Sequence, residues 1–193
     1  MALGSPLTTS NVSNDPLTIN EALRSPNRVE WQATIKKELE SLDANKTWTL
    51  VPLPMGHSPI WCKWVLKRKL NHDGILACYN ARLIRRGFSH VEGLHYFETF
   101  SLVLYMELFR LLMALVTILD LKVHRLDVQA AFLHGYLLEE IYMSQPPGFE
   151  WHSQSNYVCR LRQSLYGLKQ SPRLRFQKFN KFMLPYDYSR LLS

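Results

Sequence analysis

The chain has 193 residues, 47% of them hydrophobic and 20% charged, which excludes an intrinsically disordered protein and leaves room for one good core. The net charge is +7, and the excess lies in two stretches. Residues 61–90 carry Lys63, Lys67, Arg68, Lys69, Arg82, Arg85 and Arg86 against Asp73 alone, and residues 155–193 carry eight bases against Asp187 alone. Interleaved aromatics, Trp64, Tyr79, Tyr166 and Phe176, point to nucleic acid ahead of membrane as the polyanionic partner, with two merely solvated basic faces as the competing reading.

In chain order, residues 1–16 are poor in large apolar side chains and are expected to be a disordered lead-in without a secretory signal. Ser25-Pro26 is expected to cap and open a helix that runs to Asn45 with Trp31, Ile35, Leu39 and Leu42 on one face. Glu30, Lys36, Lys37, Glu38 and Glu40 are assigned to its solvated side. A short strand follows at 47–51 and is closed by Pro52, Pro54 and Gly56. Residues 61–70 and 75–86 form two strand arms across Asn71-His72-Asp73-Gly74, with Lys63 and Lys67 sharing a face on one arm and Arg82 and Arg86 on the other.

A helix resumes near Glu107, where Leu108, Leu111, Leu112, Leu115 and Ile118 make an apolar stripe. That stripe is expected to pack beneath a strand at 123–129, in which Leu126 and Val128 face the core and Arg125 and Asp127 face the other way. On these residues alone Asp127 reads either as a carboxylate offered to a hard cation or as an ordinary turn-initiating aspartate. Glu139 and Glu140 suggest a solvated helix end rather than a second metal pair. Tyr157–Leu161 reads as a strand, and Ser171-Pro172 opens a helix whose Phe176, Phe179 and Met183 are expected to be core. Cys62, Cys78 and Cys159 lack C-x-x-C spacing and read as reduced thiols of an intracellular protein, cytoplasmic or nuclear; no apolar run is long enough to span a bilayer.

From about Thr18 to Lys181 the chain resembles the reverse transcriptase of copia-type long-terminal-repeat retrotransposons. The resemblance rests on Asn45-Lys46-Thr47-Trp48-Thr49-Leu50-Val51, Lys63-Trp64-Val65, Ala81-Arg82-Leu83, Gly87-Phe88-Ser89, Glu98-Thr99-Phe100-Ser101, Leu126-Asp127-Val128, Ala131-Phe132-Leu133-His134-Gly135, Tyr142-Met143, Gln145-Pro146-Pro147-Gly148-Phe149 and Leu165-Tyr166-Gly167-Leu168-Lys169-Gln170. The order and spacing of these blocks make it specific.

The resemblance implies an α+β fold: the fingers and part of the palm of a right-hand polymerase that copies RNA into DNA. It implies Asp127 as the first palm carboxylate and a ligand of Mg2+, with template, primer and deoxynucleoside triphosphates as partners. It implies Phe132 beneath the incoming sugar, Arg82 on the triphosphate with Lys63 assisting, backbone groups of Ala130 and Ala131 completing that cradle, and Tyr166, Gly167 and Lys169 lining the pocket.

The family's Tyr-x-Asp-Asp strand and thumb do not appear, and Asn80, Leu102 and Arg175 depart from the usual basic residue, proline and tryptophan. Three units are therefore expected: a lead-in at 1–17, a partial reverse transcriptase domain at 18–184 and a divergent tail at 185–193. The expectation is a truncated copy that lacks the partner carboxylates of Asp127 and does not catalyse alone; the alternatives are a non-catalytic nucleic-acid-binding module and an inert remnant.

Overall fold

The computed structural model describes residues 15–86, 106–124, 128, 130–151 and 156–188. It is a mixed α+β structure with one small antiparallel sheet, one long hairpin and helices against both.

Two helices open it, α1 (Ile19–Arg24) and α2 (Arg28–Ala44). This corrects the single helix expected from Ser25-Pro26. Thr18 caps α1 by accepting the Glu21 N–H, and Ser25 closes it, its hydroxyl donating to the Ala22 carbonyl at 2.7 Å. An apolar Ile19 and Ala22 upstream give the first turn something to bury, so Ser25 ends one helix instead of starting the next. Trp31, Ile35 and Leu42 are buried as expected.

After α2, Lys46 takes a left-handed φ of 50°, the usual reversal past a helix end. Thr47 then ties the turn down: it is buried, and its hydroxyl donates to the Leu42 carbonyl at 2.7 Å. Strand β1 (Trp48–Pro52) follows and lies antiparallel to a later strand at Tyr157–Leu161, both where alternation places them. That later strand also pairs with a two-residue strand, Tyr142–Met143, and sits between its two partners.

The long hairpin is β2 (Cys62–Leu70) and β3 (Leu76–Arg85). Gly74, at φ +74°, supplies the left-handed residue its turn requires. Cys62, Trp64, Leu66, Ala81, Leu83 and Arg85 face inward. Lys63 lies opposite Ile84 and Val65 opposite Arg82, which puts Lys63, Lys67, Arg82 and Arg86 on the other face, as expected.

The outer edge of β3 is closed without a further strand. Thr34 donates to the Tyr79 carbonyl at 3.2 Å, Glu38 accepts the Leu83 N–H at 3.4 Å, and the Tyr166 carbonyl accepts the Arg85 N–H at 2.9 Å. An open edge is a template for aggregation, and here its inner half is occupied by helix side chains and a loop.

The motif Gln145–Phe149 is structural. Gln145 donates to the Tyr157 carbonyl at 2.9 Å and accepts the Trp151 N–H at 2.7 Å, while the Trp64 indole donates to the Pro147 carbonyl at 3.0 Å. Hairpin and sheet are joined further by Ile60, which bridges Met143 and exchanges backbone hydrogen bonds with Tyr142 and Ser144 at 2.8 and 2.9 Å. With the short strand as β4 (Tyr142–Met143) and its partner as β5 (Tyr157–Leu161), one core runs from α2 through the hairpin to β5.

Helix α3 (Met106–Ile118) forms where the apolar stripe predicts it, yet none of its residues is buried. Leu111 is 57% exposed and Ile118 75%, so among the described residues nothing covers the stripe. Residues 121–124 and 128 are not in strand, and Val128 is 51% exposed. Residues 125–127 and 129 lie outside the described residues.

Helix α4 (Ser171–Met183) begins at Ser171-Pro172 as expected, with the Ser171 hydroxyl donating to the Leu165 carbonyl at 2.7 Å. Its aromatics are not core, however: Phe179 is 52% exposed, and Phe176 and Met183 are half-buried. Glu139 and Glu140 do not end a helix. They lie in the connection to Tyr142–Met143, Glu139 at a bend, and Glu140 pairs with Arg160 of β5.

Candidate functional site

The site is built on a 3-10 helix, Ala131–His134, that carries Phe132 outward and fully buried Leu133 inward. Ala130 opens it at φ 49°, a left-handed conformation that costs a non-glycine residue about 1 kcal/mol. The turn is pinned from behind. Leu133 N–H bonds to the Ala130 carbonyl at 2.7 Å, the buried Ser164 hydroxyl donates to the Phe132 carbonyl, and the Gly135 carbonyl accepts the Ser164 N–H at 2.6 Å. Gly135 is also where α4 passes: a Cβ there would stand 2.6 Å from the Leu174 Cβ.

Tyr166 approaches from the other side of the chain. Its backbone pairs with Ile84 of β3, and Gly167, at φ +88°, lets the turn lie on Arg85, whose carbonyl would be 3.1 Å from an added Cβ. The hairpin and the 165–168 loop are thus fixed to each other through backbone.

Four side chains then form a continuous stack. The Arg82 guanidinium lies 5.3 Å from the Tyr166 ring centroid, the Tyr166 and Phe132 rings are 5.3 Å apart at 55°, and the Arg175 guanidinium lies 5.3 Å from the Phe132 ring. Stacking of this kind stabilises by about 0.5–1 kcal/mol per exposed cation. Burial pushes the Tyr166 phenol upward, partly countered by Arg82, so the ring stays neutral and its hydroxyl remains a donor. Arg82 and Arg175 are exposed, and among the described residues neither has an ion-pair partner.

Glu38 does not lie on the solvated side of its helix, where its neighbours Lys36, Lys37 and Glu40 do. It is held at the Leu83 N–H beside Arg82, and burial raises its carboxyl above the ordinary value, with the Leu83 N–H and Arg82 pulling it back. The signal is present in the spacing: 31, 35, 38 and 42 fall on one helical face, and an acid among Trp31, Ile35 and Leu42 is an intruder there.

Of the residues expected at the site, Arg82, Phe132 and Tyr166 come together, with Gly167 and the Ala130–Ala131 turn beside them. Lys63 is exposed on the same hairpin face as Arg82, and Lys169 is exposed in the turn before α4. Asp127 lies outside the described residues. Among those described, no three of His, Cys, Asp and Glu gather as a metal site, and no helix is long and apolar enough to cross a membrane.

Comparison with known proteins covers the same ground. The family model for reverse transcriptase (RNA-dependent DNA polymerase) matches residues 45–191. The chain is similar to the retrovirus-related Pol polyprotein from transposon TNT 1-94 of Nicotiana tabacum, 44% identical over 179 residues, 93% of this chain and 14% of that protein. It is also similar to the Pol polyproteins from transposons RE1 and RE2 of Arabidopsis thaliana, 38% and 36% identical over 93% and 94% of this chain, each covered for 12% of its length. The chain therefore spans less than one-seventh of these relatives. No solved structure matches it. A family match over most of the chain, supported by three relatives aligned along nearly its whole length, places it in the reverse transcriptase (RNA-dependent DNA polymerase) family as a domain of the copia-type retrotransposon Pol polyprotein.

Proposed function

We propose that this chain is the nucleotide-binding part of an RNA-directed DNA polymerase, the fingers and the first part of the palm of a right hand, acting inside the cell in cytoplasm or nucleus. The observation that carries this reading is the Arg82–Tyr166–Phe132 stack, which joins hairpin, loop and 3-10 helix at one partly exposed spot. A deoxynucleoside triphosphate has what such a spot takes: an anion for a guanidinium fork and flat surfaces for rings. In this reading Arg82 releases Tyr166 to bind the triphosphate, with Lys63 adding charge from the neighbouring strand. Ala130 and Ala131 turn backbone N–H groups toward it, and Tyr166, Gly167 and Lys169 line the base and template side. Phe132 sits beneath the sugar and rejects a 2′-hydroxyl by contact.

Magnesium is the cation this reading assigns, with Asp127 as a ligand. The described carboxylates do not assemble a site for it, since Glu38 is committed to Leu83 and Glu140 to Arg160.

The test is equilibrium binding of a deoxynucleoside and a ribonucleoside triphosphate to the 193-residue chain. The deoxynucleotide should bind more tightly, Arg82→Ala should weaken both about tenfold or more, as for loss of a charge-assisted contact, and Phe132→Ala should narrow the preference. Absence of triphosphate binding, or binding indifferent to Arg82→Ala, overturns the proposal. Single-nucleotide extension of a primed RNA template, with Asp127→Ala as control, then measures whether the chain polymerises by itself.

A further inference from the structure

The outer edge of β3 sets an acid and an aromatic ring on either side of Arg82. Leu83 and Arg85 direct successive backbone N–H groups along that edge, about 7 Å apart. The Glu38 carboxylate of α2 takes the first at 3.4 Å, and the Tyr166 carbonyl takes the second at 2.9 Å. Arg82, one residue before Leu83, leaves the strand on its exposed face and lays its guanidinium over the Tyr166 ring. It makes no direct ion pair among the described residues, so Glu38 and Arg82 act on each other through their fields.

Glu38 is sparsely solvated by the protein. It is half-buried, and among the described residues the Leu83 N–H is its one hydrogen-bond donor. A carboxyl so placed favours its neutral form unless a cation stands by, and Arg82 is that cation. Other charges nearby are few. On α2, Lys36, Lys37 and Glu40 are exposed, with Lys36 3.9 Å from Glu40. On the hairpin, Lys63 and Lys67 share the face of Arg82 from β2, while Arg85 is buried on the other face. The 165–168 loop brings the neutral Tyr166 phenol, and α4 brings Arg175 beyond Phe132.

We propose that Glu38 is a positioning residue for Arg82 and competes with the triphosphate for it, so that nucleotide binding at this site is coupled to uptake of a proton by Glu38. The inference rests on the nucleotide-site reading above. In the empty site the charges of Glu38 and Arg82 offset each other across the β3 edge. When the guanidinium turns to the phosphates, Glu38 loses its cation and gains an anion as neighbour, and both changes favour its protonated form. The proton comes from solvent, and one O–H bond on the carboxylate is all that forms. A carboxyl whose pKa rises on binding takes up a proton over the interval between its free and bound values. Triphosphate affinity therefore rises as pH falls through that interval. Above the interval Glu38 keeps a charge that opposes the phosphates; below it the charge is gone in both states.

The test is isothermal titration calorimetry of the full chain with deoxyadenosine triphosphate, across pH and in buffers of different ionisation enthalpy, which counts protons taken up. Glu38→Gln, which keeps an oxygen for the Leu83 N–H, should bind about three- to tenfold more tightly than wild type at about pH 8. The two affinities should converge as pH falls toward 4.5, the ordinary value of the carboxyl. Between those limits wild type should take up more protons than Glu38→Gln, a difference from which the titration of the triphosphate itself cancels. Glu38→Asp keeps the charge and should retain the pH dependence; if it binds as Glu38→Gln does at every pH, the role is one of packing and the inference is overturned. An affinity ratio of Glu38→Gln to wild type that does not change with pH, or equal proton uptake by the two, overturns it as well. Glu38→Gln binding as wild type does, beside Arg82→Ala that loses triphosphate, removes the role of Glu38 and leaves the nucleotide site standing. Triphosphate binding unchanged in Arg82→Ala, or none by wild type, removes both.

Discussion

Gly135→Ala isolates how the 3-10 helix is seated on α4. The added Cβ would stand 2.6 Å from the Leu174 Cβ and 2.9 Å from the Ser164 Oγ, both closer than such contacts are found. Backbone conformation is not at issue, because φ at Gly135 is −87°, open to any residue. The cost is overpacking, about 1–3 kcal/mol, since a Cβ cannot swing away and α4 or the 3-10 helix must shift by several tenths of an ångström. For a chain of this size that lowers the melting temperature by about 2–4 °C per kcal/mol. Urea denaturation followed by circular dichroism and by tryptophan fluorescence gives the free energy. The second-site pattern is specific: Leu174→Ala keeps the Cβ and should not rescue, whereas Ser164→Ala removes one of the two clashing atoms together with the hydroxyl that holds the Phe132 carbonyl, so combined with Gly135→Ala it should cost less than the sum of the two single losses. Gly135→Ala within about 0.5 kcal/mol of wild type, the range of ordinary surface substitutions, would refute the seating of α4 on this turn.

Glu38→Gln keeps an oxygen for the Leu83 N–H and removes the charge. Because burial raises the folded-state pKa above 4.5, the stabilising proton is fully present below that value and lost as pH rises through the folded pKa. Wild type should therefore fall behind Glu38→Gln as pH rises; denaturation midpoints that diverge on acidification instead would contradict it. Thiol labelling should distinguish the three cysteines: Cys78 is exposed, while burial pushes Cys62 and Cys159 up to about 11 and about 12. Only the thiolate reacts, so at pH 8 one thiol should modify rapidly and two should wait for unfolding, as mass spectrometry would show. Ala130→Gly should be neutral or stabilising by up to about 1 kcal/mol, because it relieves a left-handed alanine, whereas Ala22→Gly within α1 should cost about that much.

The hairpin was legible because Asn71–Gly74 fixes its turn and two arms alternate around it; β1 and β5 were legible for the same reason. What depends on a partner was not. The stripe of α3 correctly announces a helix but cannot name what covers it. Ser25 misled because a serine before proline opens a helix only when nothing helical precedes it, and Ile19 and Ala22 do. At the site, Phe132 and Tyr166 are 34 positions apart, and only resemblance linked them before the structure brought their rings together. Glu38 was within reach of pattern alone, had the 31-35-38-42 face been followed through the acid. Arg175 was visible as a departure, without a sign of the ring it would cover.

The closing of the β3 edge has an evolutionary consequence. The contacts that hold the site's shape use the strand's own peptide groups, at Tyr79, Leu83 and Arg85, whereas Arg82, Phe132 and Arg175 reach outward as side chains. Substitution at the outward positions leaves the scaffold nearly untouched. Copies of such a domain that drift without selection shed chemistry one exposed residue at a time while their form persists, so the architecture outlives the reaction it was built to serve.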